Sequence, residues 1–152
     1  MALAKAPKLT IIILTIAAIA VAGLTIGAVT INQNVPSSGT VTAGPNVGVY
    51  SNSGCTTLVT SLNWGSVEIG GNATQTIYIE NTGGKQMTPD ITVSNWTPSN
   101  AGTYITMTWT TLPAEIQPGT ACAVAVTLTL TVSPGITGIS SFTNSITITG
   151  TG

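Results

Sequence analysis

The sequence predicts an all-β sandwich of seven strands, preceded by a hydrophobic N-terminal segment. Apolar and polar residues alternate with a period of two along most of the chain after residue 40, as they do in half-buried strands. Turns rich in Gly, Pro and Asn separate these stretches, and no amphipathic helical pattern occurs among them. Thr, a β-branched strand former, dominates the polar residues, and the hydrophobic content of 43% is enough to build a core.

The N-terminal element is an uncharged apolar run over residues 9–31. At about 1.5 Å per residue, a helix of this length spans a bilayer. Lys5 and Lys8 precede the run with no acidic residue nearby, and this charge bias keeps the N-terminal end inside the cell. We therefore expect the rest of the chain to be exported to the cell surface or beyond it.

Two fates of this run stay open. Residues 1–8, 9–19 and the Ala-Val-Ala sequence at 20–22 match the basic, apolar and cleavage regions of a signal peptide, whose removal would leave Gly23 first. The alternative is an uncleaved anchor, or the hydrophobic stem of a pilin-like subunit. After cleavage, the apolar residues 23–31 are a candidate donor strand for another subunit's sheet. Without cleavage, they are the second half of a membrane helix.

A linker over residues 32–39, which contains Pro36, leads into the β domain over residues 40–152. The first predicted strand is broken near Gly44 and Pro45. The predicted strands are residues 41–50, 58–67, 74–80, 88–95, 104–110, 121–132 and 142–149. Seven strands in roughly a hundred residues, with turns at regular spacing, are typical of an immunoglobulin-like sandwich.

The alternation also predicts which side chains face the core. The sixth strand is the clearest, because apolar residues alternate with Thr over most of its length. Across the strands the predicted inward residues are Ile77, Ile79, Ile91, Val93, Ile105, Met107, Trp109, Val124, Val126, Leu128, Leu130, Val132, Phe142, Ile146 and Ile148. Trp64, Trp96 and Trp109 are spread through the strands, which favours packing anchors over the sharper alternative of an aromatic platform for a ligand.

Two cysteines in an exported chain predict a disulfide between Cys55 and Cys122. Cys122 shares the inward parity of the sixth strand, whereas Cys55 lies in a polar turn region. The bridge would close a loop of about 67 residues, worth on the order of 4 kcal/mol in the chain-entropy model. A nucleophile or metal site is the alternative, but no His, Lys or Asp neighbours either cysteine in the sequence.

Two tripeptides fit the acceptor sequence for N-glycosylation. Asn72 begins one of them in a Gly-Gly-Asn turn, and Asn95 begins the other at the end of a strand. The turn position makes Asn72 the better candidate.

The residue types exclude several functions. His is absent, and after the N-terminal run only five residues carry charge. They are Glu68, Glu80, Lys85, Asp90 and Glu115. One cation against four anions gives no basic patch for nucleic acid. No paired carboxylates, no nucleophile with a base and no phosphate-binding Gly motif occur. We therefore expect no enzymatic activity, no cofactor and no metal site.

The scarcity of charge bears on the strand edges, which natural proteins usually protect with Lys, Glu or Pro. This chain has almost no charge for that purpose. Glycans or neighbouring subunits would then have to cover the edges, unless Thr-rich faces are soluble enough alone.

The sequence at residues 70–83, GGNATQTIYIENTG, combines a Gly turn, an alternating strand and Asn-Thr-Gly. Together with residues 104–109 and 146–150, it resembles archaeal secreted immunoglobulin-like surface proteins and, more distantly, TasA/camelysin-like biofilm fibre subunits. The resemblance covers about residues 46–152. It implies an immunoglobulin-like fold and polymerisation through an N-terminal donor strand, a role that only residues 23–31 offer here.

Three functions follow from these observations. The first is a structural subunit of an extracellular filament, a pilus or biofilm fibre, whose partners are copies of itself. The second is a monomeric surface or coat module held in the membrane by its N-terminal segment. The third is a carbohydrate-binding module, which requires an exposed Trp.

Overall fold

The computed structural model describes residues 34–44, 46–119 and 124–152. The hydrophobic run, with its predicted cleavage site and candidate donor strand, and Cys122 lie outside these residues. The described chain forms eight strands and one short helix, α1. They are β1 (Asn34–Ala43), β2 (Val47–Tyr50), β3 (Ser61–Glu68), β4 (Asn72–Asn81), β5 (Thr88–Thr97), α1 (Ala101–Tyr104), β6 (Ile105–Trp109), β7 (Val124–Val132) and β8 (Phe142–Thr151).

The strands form two four-stranded sheets, in the orders β3-β1-β8-β5 and β2-β4-β7-β6. Neighbouring strands pair antiparallel except β1 and β8, which are parallel. Apolar residues from both sheets meet in a single cluster between them. The predicted all-β sandwich is therefore confirmed.

The predicted number of strands is wrong, because the first predicted strand is two strands in different sheets. The chain leaves β1 at Ala43 and enters β2 at Val47. Gly44 makes the corner: its N–H donates to the Ile148 carbonyl at 2.8 Å, and its carbonyl accepts from the Val47 N–H at 3.2 Å. The predicted break lies at this corner, but alternation alone does not say that the chain changes sheets there.

The linker predicted over residues 32–39 is also corrected, because β1 begins at Asn34. At Pro36 the strand pairs only with β3, since the pairing with β8 starts at Ser37, and a strand with one partner tolerates proline. Gly39 serves close packing: a Cβ there would lie 2.5 Å from Asn144 Oδ1. The small residues of β1 resemble a flexible linker in the sequence, but the close packing of this central strand requires them.

The core confirms the predicted faces of the best-patterned strands. In β7, Val126, Leu128, Leu130 and Val132 are completely buried, while the intervening Thr residues face outward. Trp64 is buried, whereas Trp96 and Trp109 are half-buried at the margin of the core. The Trp96 ring packs on Phe142 with 5.8 Å between the ring centroids. These contacts are those of packing anchors.

Candidate functional site

An incompletely paired edge lies on β4. This strand pairs with β7 from Asn72 to Ile79, but on its other side β2 pairs only with Tyr78 to Asn81. Within the described chain, residues 72–77 of β4 thus have a strand partner on one side only. Backbone groups on such an edge are a template for an added strand.

The unpaired side of this half-strand faces β3 of the other sheet. β3 is itself an edge strand, since β1 is its one partner in the sheet. Gln75 Nε2 donates to the Asn63 carbonyl oxygen at 3.1 Å and so joins the two edges by a side chain instead of a strand. We name the region formed by β3 and residues 72–77 the lateral seam.

The lateral seam is nearly free of charge and only partly covered. Ala73 and Gln75 are half-buried, and they alternate with exposed residues along β4. Ile69, in the turn between β3 and β4, is half-buried against the core. Glu68, at the end of β3, is the one charged residue in the seam. The geometry can therefore accept an uncharged extended segment, which would bury Ala73 and Ile69 further.

A groove of about 880 Å³ opens beside the first sheet. Small polar side chains line much of it, among them Ser38, Ser61, Asn63, Ser66 and Thr143. No charged residue and no tryptophan is among its lining residues. The groove can offer hydrogen bonds to a neutral partner, but it holds no group for acid–base chemistry and no aromatic platform.

Titratable groups do not gather in the described domain: no three His, Cys, Asp or Glu residues lie close enough there to hold a metal ion. One carboxylate acts on a neighbouring side chain in the second sheet. A hydrogen bond to Glu80 raises the pKa of Tyr50, and burial and the Glu80 charge act in the same direction. The tyrosine therefore stays neutral and tied to Glu80, which is a structural contact.

The described part of the chain contains one of the two predicted disulfide cysteines. Cys55 is disulfide-bonded and half-buried in the loop between β2 and β3. Its predicted partner, Cys122, lies outside the described residues, so the Cys55–Cys122 pairing stays a prediction.

Both predicted glycosylation sites are exposed in the structure. Asn72 is the first residue of β4 and lies at one end of the lateral seam. Asn95 lies at a register shift in β5 with a φ of 52°, and its Nδ2 donates to Ser145 Oγ at 3.3 Å. The free carboxamide of Asn72 makes it the more accessible acceptor, and modification of either residue stays a prediction.

Comparison with models of known families, with curated proteins and with solved structures finds no match for this chain. Within the described residues, no helix has the length and apolar character needed to cross a membrane. Only the geometry of these residues therefore supports the lateral seam as a candidate site. Sequence reasoning identified the donor candidate but missed the lateral seam, since pairing between distant strands leaves no local signal.

Proposed function

We propose that this chain is a structural subunit of an extracellular filament that assembles by strand addition at the lateral seam. The hydrophobic N-terminal segment of one copy supplies the added strand, residues 23–31, to the next copy. The observation that carries the proposal is the half-paired β4 beside the β3 edge, to which Gln75 ties it by a side-chain hydrogen bond. Such a site gains backbone hydrogen bonds and apolar burial from an extended partner.

The donor candidate fits the seam in length and pattern. Residues 23–31 outnumber the six positions of the open half of β4, and they carry no charge. Leu24, Ile26 and Ala28 share one face of an extended strand, which can pack toward Ala73 and Ile69. A nearly uncharged seam offers such a segment no unpaired charge to bury.

The contact joins two different surfaces, so it does not close on itself as a two-fold dimer does. Each copy offers one donor segment and one lateral seam, and repetition of such a head-to-tail contact gives an open filament. This geometry supports the proposal of a pilus or biofilm fibre outside the cell.

The immunoglobulin-like class of the sandwich belongs to the same proposal. Two four-stranded sheets, and a chain that passes from one sheet to the other between β1 and β2, support it. The resemblance to archaeal surface proteins and biofilm fibre subunits agrees with this class.

A second candidate, a monomeric surface module anchored in the membrane, is favoured by the length of the uncharged run 9–31. It keeps the run in lipid and leaves the lateral seam without an occupant. The two candidate functions therefore differ in whether a substitution at the lateral seam affects the association of one copy of the chain with the next.

Substitution Ala73→Lys tests the seam directly. A lysine on the open half of β4 places a charge where the donor would pack, and we expect filaments to disappear from electron micrographs. Thr131→Lys is the matched control, because Thr131 is exposed on the same sheet in β7, a strand paired on both sides. Thermal unfolding of both variants checks that the domain stays folded.

Filaments of normal length from folded Ala73→Lys would remove the seam from the assembly contact. If the unsubstituted chain formed no filaments and required detergent for extraction, the anchored module would replace the filament subunit.

A further inference from the structure

A stripe of apolar side chains crosses the outer face of the second sheet, where the neighbouring outward positions carry mainly Thr. The register places Leu58, in the loop after β2, opposite Tyr50, Tyr50 opposite Tyr78, and Tyr78 opposite Ala125. Residues paired in this way point to the same side of a sheet. That side is the outer one, because Ile79, next to Tyr78 in β4, is completely buried. We name Leu58, Tyr50, Tyr78 and Ala125 the outer stripe.

The outer stripe is accessible from solvent. Leu58 is 66% exposed and is the one large hydrophobic side chain of the described domain that is exposed. Ala125 is exposed as well, and the two tyrosines are half-buried. The adjacent row on the same face contains Thr76 and Thr127, whose hydroxyl oxygens lie 3.4 Å apart. The apolar surface is therefore one residue wide and has hydroxyl groups along one side.

The Tyr50 ring is held in place over the sheet. A Cβ built on Gly48 would be 2.6 Å from Tyr50 Cε2 and 2.8 Å from Tyr50 Oη, so the ring leans along the strand over this glycine. Gly48 is buried although it lies on the outer side, which agrees with the ring covering it. The Tyr50 hydroxyl is hydrogen-bonded to Glu80, which lies opposite Gly48 in β4. The ring is thus positioned before a ligand arrives, and its uncovered side faces solvent.

The chemistry of the outer stripe defines the ligand that it can take. The face of an aromatic ring carries negative electrostatic potential and attracts the C–H groups of a partner. Sugar rings bear C–H groups on their faces and hydroxyl groups around their edges. The Thr76 and Thr127 hydroxyls and the Glu80 carboxylate flank the tyrosines and can accept hydrogen bonds from sugar hydroxyls. The Glu80 charge also disfavours an acidic sugar.

The width of the stripe favours a sugar chain over a protein partner. Neighbouring strands lie about 4.8 Å apart, so four positions across the sheet span about 14 Å. A stable protein interface buries about 800 Å² on each partner and has a broad apolar core. The polar threonines beside the stripe provide no such core, whereas an extended sugar chain is only one ring wide.

We propose that the outer stripe is a binding site for a neutral, extended oligosaccharide, whose rings stack on Tyr50 and Tyr78 and contact Leu58. Glu80 and Gly48 act through Tyr50, so they are positioning residues. The site is independent of filament assembly. In a filament each copy would present one stripe, and repetition along the filament would turn weak single contacts into firm attachment to a polysaccharide.

Nuclear magnetic resonance of the tyrosine rings tests this proposal in the full chain, kept in a detergent that has no sugar headgroup. The chain contains three tyrosines, and Tyr104, at the end of α1, lies outside the stripe and serves as an internal control. The probes are cellohexaose and chitohexaose, two neutral chains of extended shape. We expect one or both to shift the ring resonances of Tyr50 and Tyr78 and to leave those of Tyr104 unchanged, with Tyr→Phe variants assigning the signals.

Substitutions in the stripe supply the second readout. Tyr50→Ala and Leu58→Ser should each weaken binding of the responding probe by about fivefold or more. Thr108→Ala, at an exposed outward position of β6, is the matched control and should bind as the unsubstituted chain does. Because Leu58 is largely exposed, Leu58→Ser decides the matter even if Tyr50→Ala does not fold.

The proposal is overturned if neither sugar shifts Tyr50 and Tyr78, if Tyr104 shifts equally, or if folded Leu58→Ser binds with unchanged affinity. Tyr50 and Tyr78 resonances that respond to protein concentration, but not to sugar, would also overturn it and make the stripe a contact between copies of the chain.

Discussion

At the scale of single residues, Asn81 is the best-connected buried side chain of the described domain. It is 1% exposed. Its Nδ2 donates to the carbonyl oxygens of Lys85 and Ile116, at 2.7 and 2.8 Å, and its Oδ1 accepts from the Gly83 N–H at 2.9 Å. One carboxamide thus fixes the turn after β4 and ties it to the segment around Ile116. A buried polar group with all its bonds made is stabilising, and it becomes costly when a partner is lost.

We expect Asn81→Leu to destabilise the domain by about 2 to 4 kcal/mol, because it leaves the Lys85 carbonyl and the Gly83 N–H without their partner. The Ile116 carbonyl also loses a bond but keeps the one from the Met87 N–H. Denaturant unfolding of the full chain in detergent measures this change. Thr82→Ala, one residue away and exposed, serves as the control and should have little effect. Equal stability of the two variants would mean that water replaces the carboxamide at no cost.

At the scale of the elements, β1 and β7 are both central strands, but side chains of different size fill the core beneath them. β7 pairs on both sides and buries Val126, Leu128, Leu130 and Val132. β1 is central as well, but the small residues Ser37 and Gly39 face inward there. The β1 backbone therefore packs closely against the side chain of Asn144, whereas β7 fills its inward face with its own branched side chains. With four buried apolar residues, β7 contributes more of them to the core than any other strand of the described domain.

Leu128→Ala in β7 should cost about 2 to 5 kcal/mol, the range for truncating a fully buried leucine. The matched control is Thr131→Ala on the outward face of the same strand, which should change stability by less than about 0.5 kcal/mol. Chemical denaturation of the two variants provides the comparison. A small loss at Leu128 would indicate that the sheets close over the cavity.

Prediction from sequence succeeds or fails at this same scale for identifiable reasons. The alternation of β7 and β8 is local, so their inward faces follow directly from the order of residues. The division into β1 and β2 does not, because alternation on either side of Gly44 is the same whether the chain keeps to one sheet or crosses to the other. The Ser-Ser-Gly of β1 resembles a linker, and its role depends on Asn144 and Trp64, which are distant in sequence.

The two parts of the candidate site, the donor candidate and the lateral seam, also differ in whether the sequence predicts them. The donor candidate is a contiguous apolar segment and can be found by composition. The lateral seam exists because β2 is shorter than β4, and that difference emerges only when strands are paired. The sequence indicated that edges would be uncharged, and the structure locates the edge that is also half-paired.

At the scale of the whole molecule, the chain after residue 31 carries one cation and four anions, and its strand edges have little charge to repel a second copy. Within the described residues, six positions of β4 have a strand on one side only, and an apolar segment precedes the domain in the chain. With the proposed donor and acceptor on each copy, we expect a polar, open-ended assembly. The same features would be an aggregation hazard in a monomer.

The most direct test of strand addition is a helical reconstruction of native surface filaments by electron cryomicroscopy. We predict an extended segment, residues 23–31 of a neighbouring copy, hydrogen-bonded along residues 72–77 of β4 in the lateral seam. The first residue of each copy should then be at or near Gly23. A bundle of helical stems formed by residues 9–31, with the seam left open, would contradict strand addition and place the assembly contact in the stems.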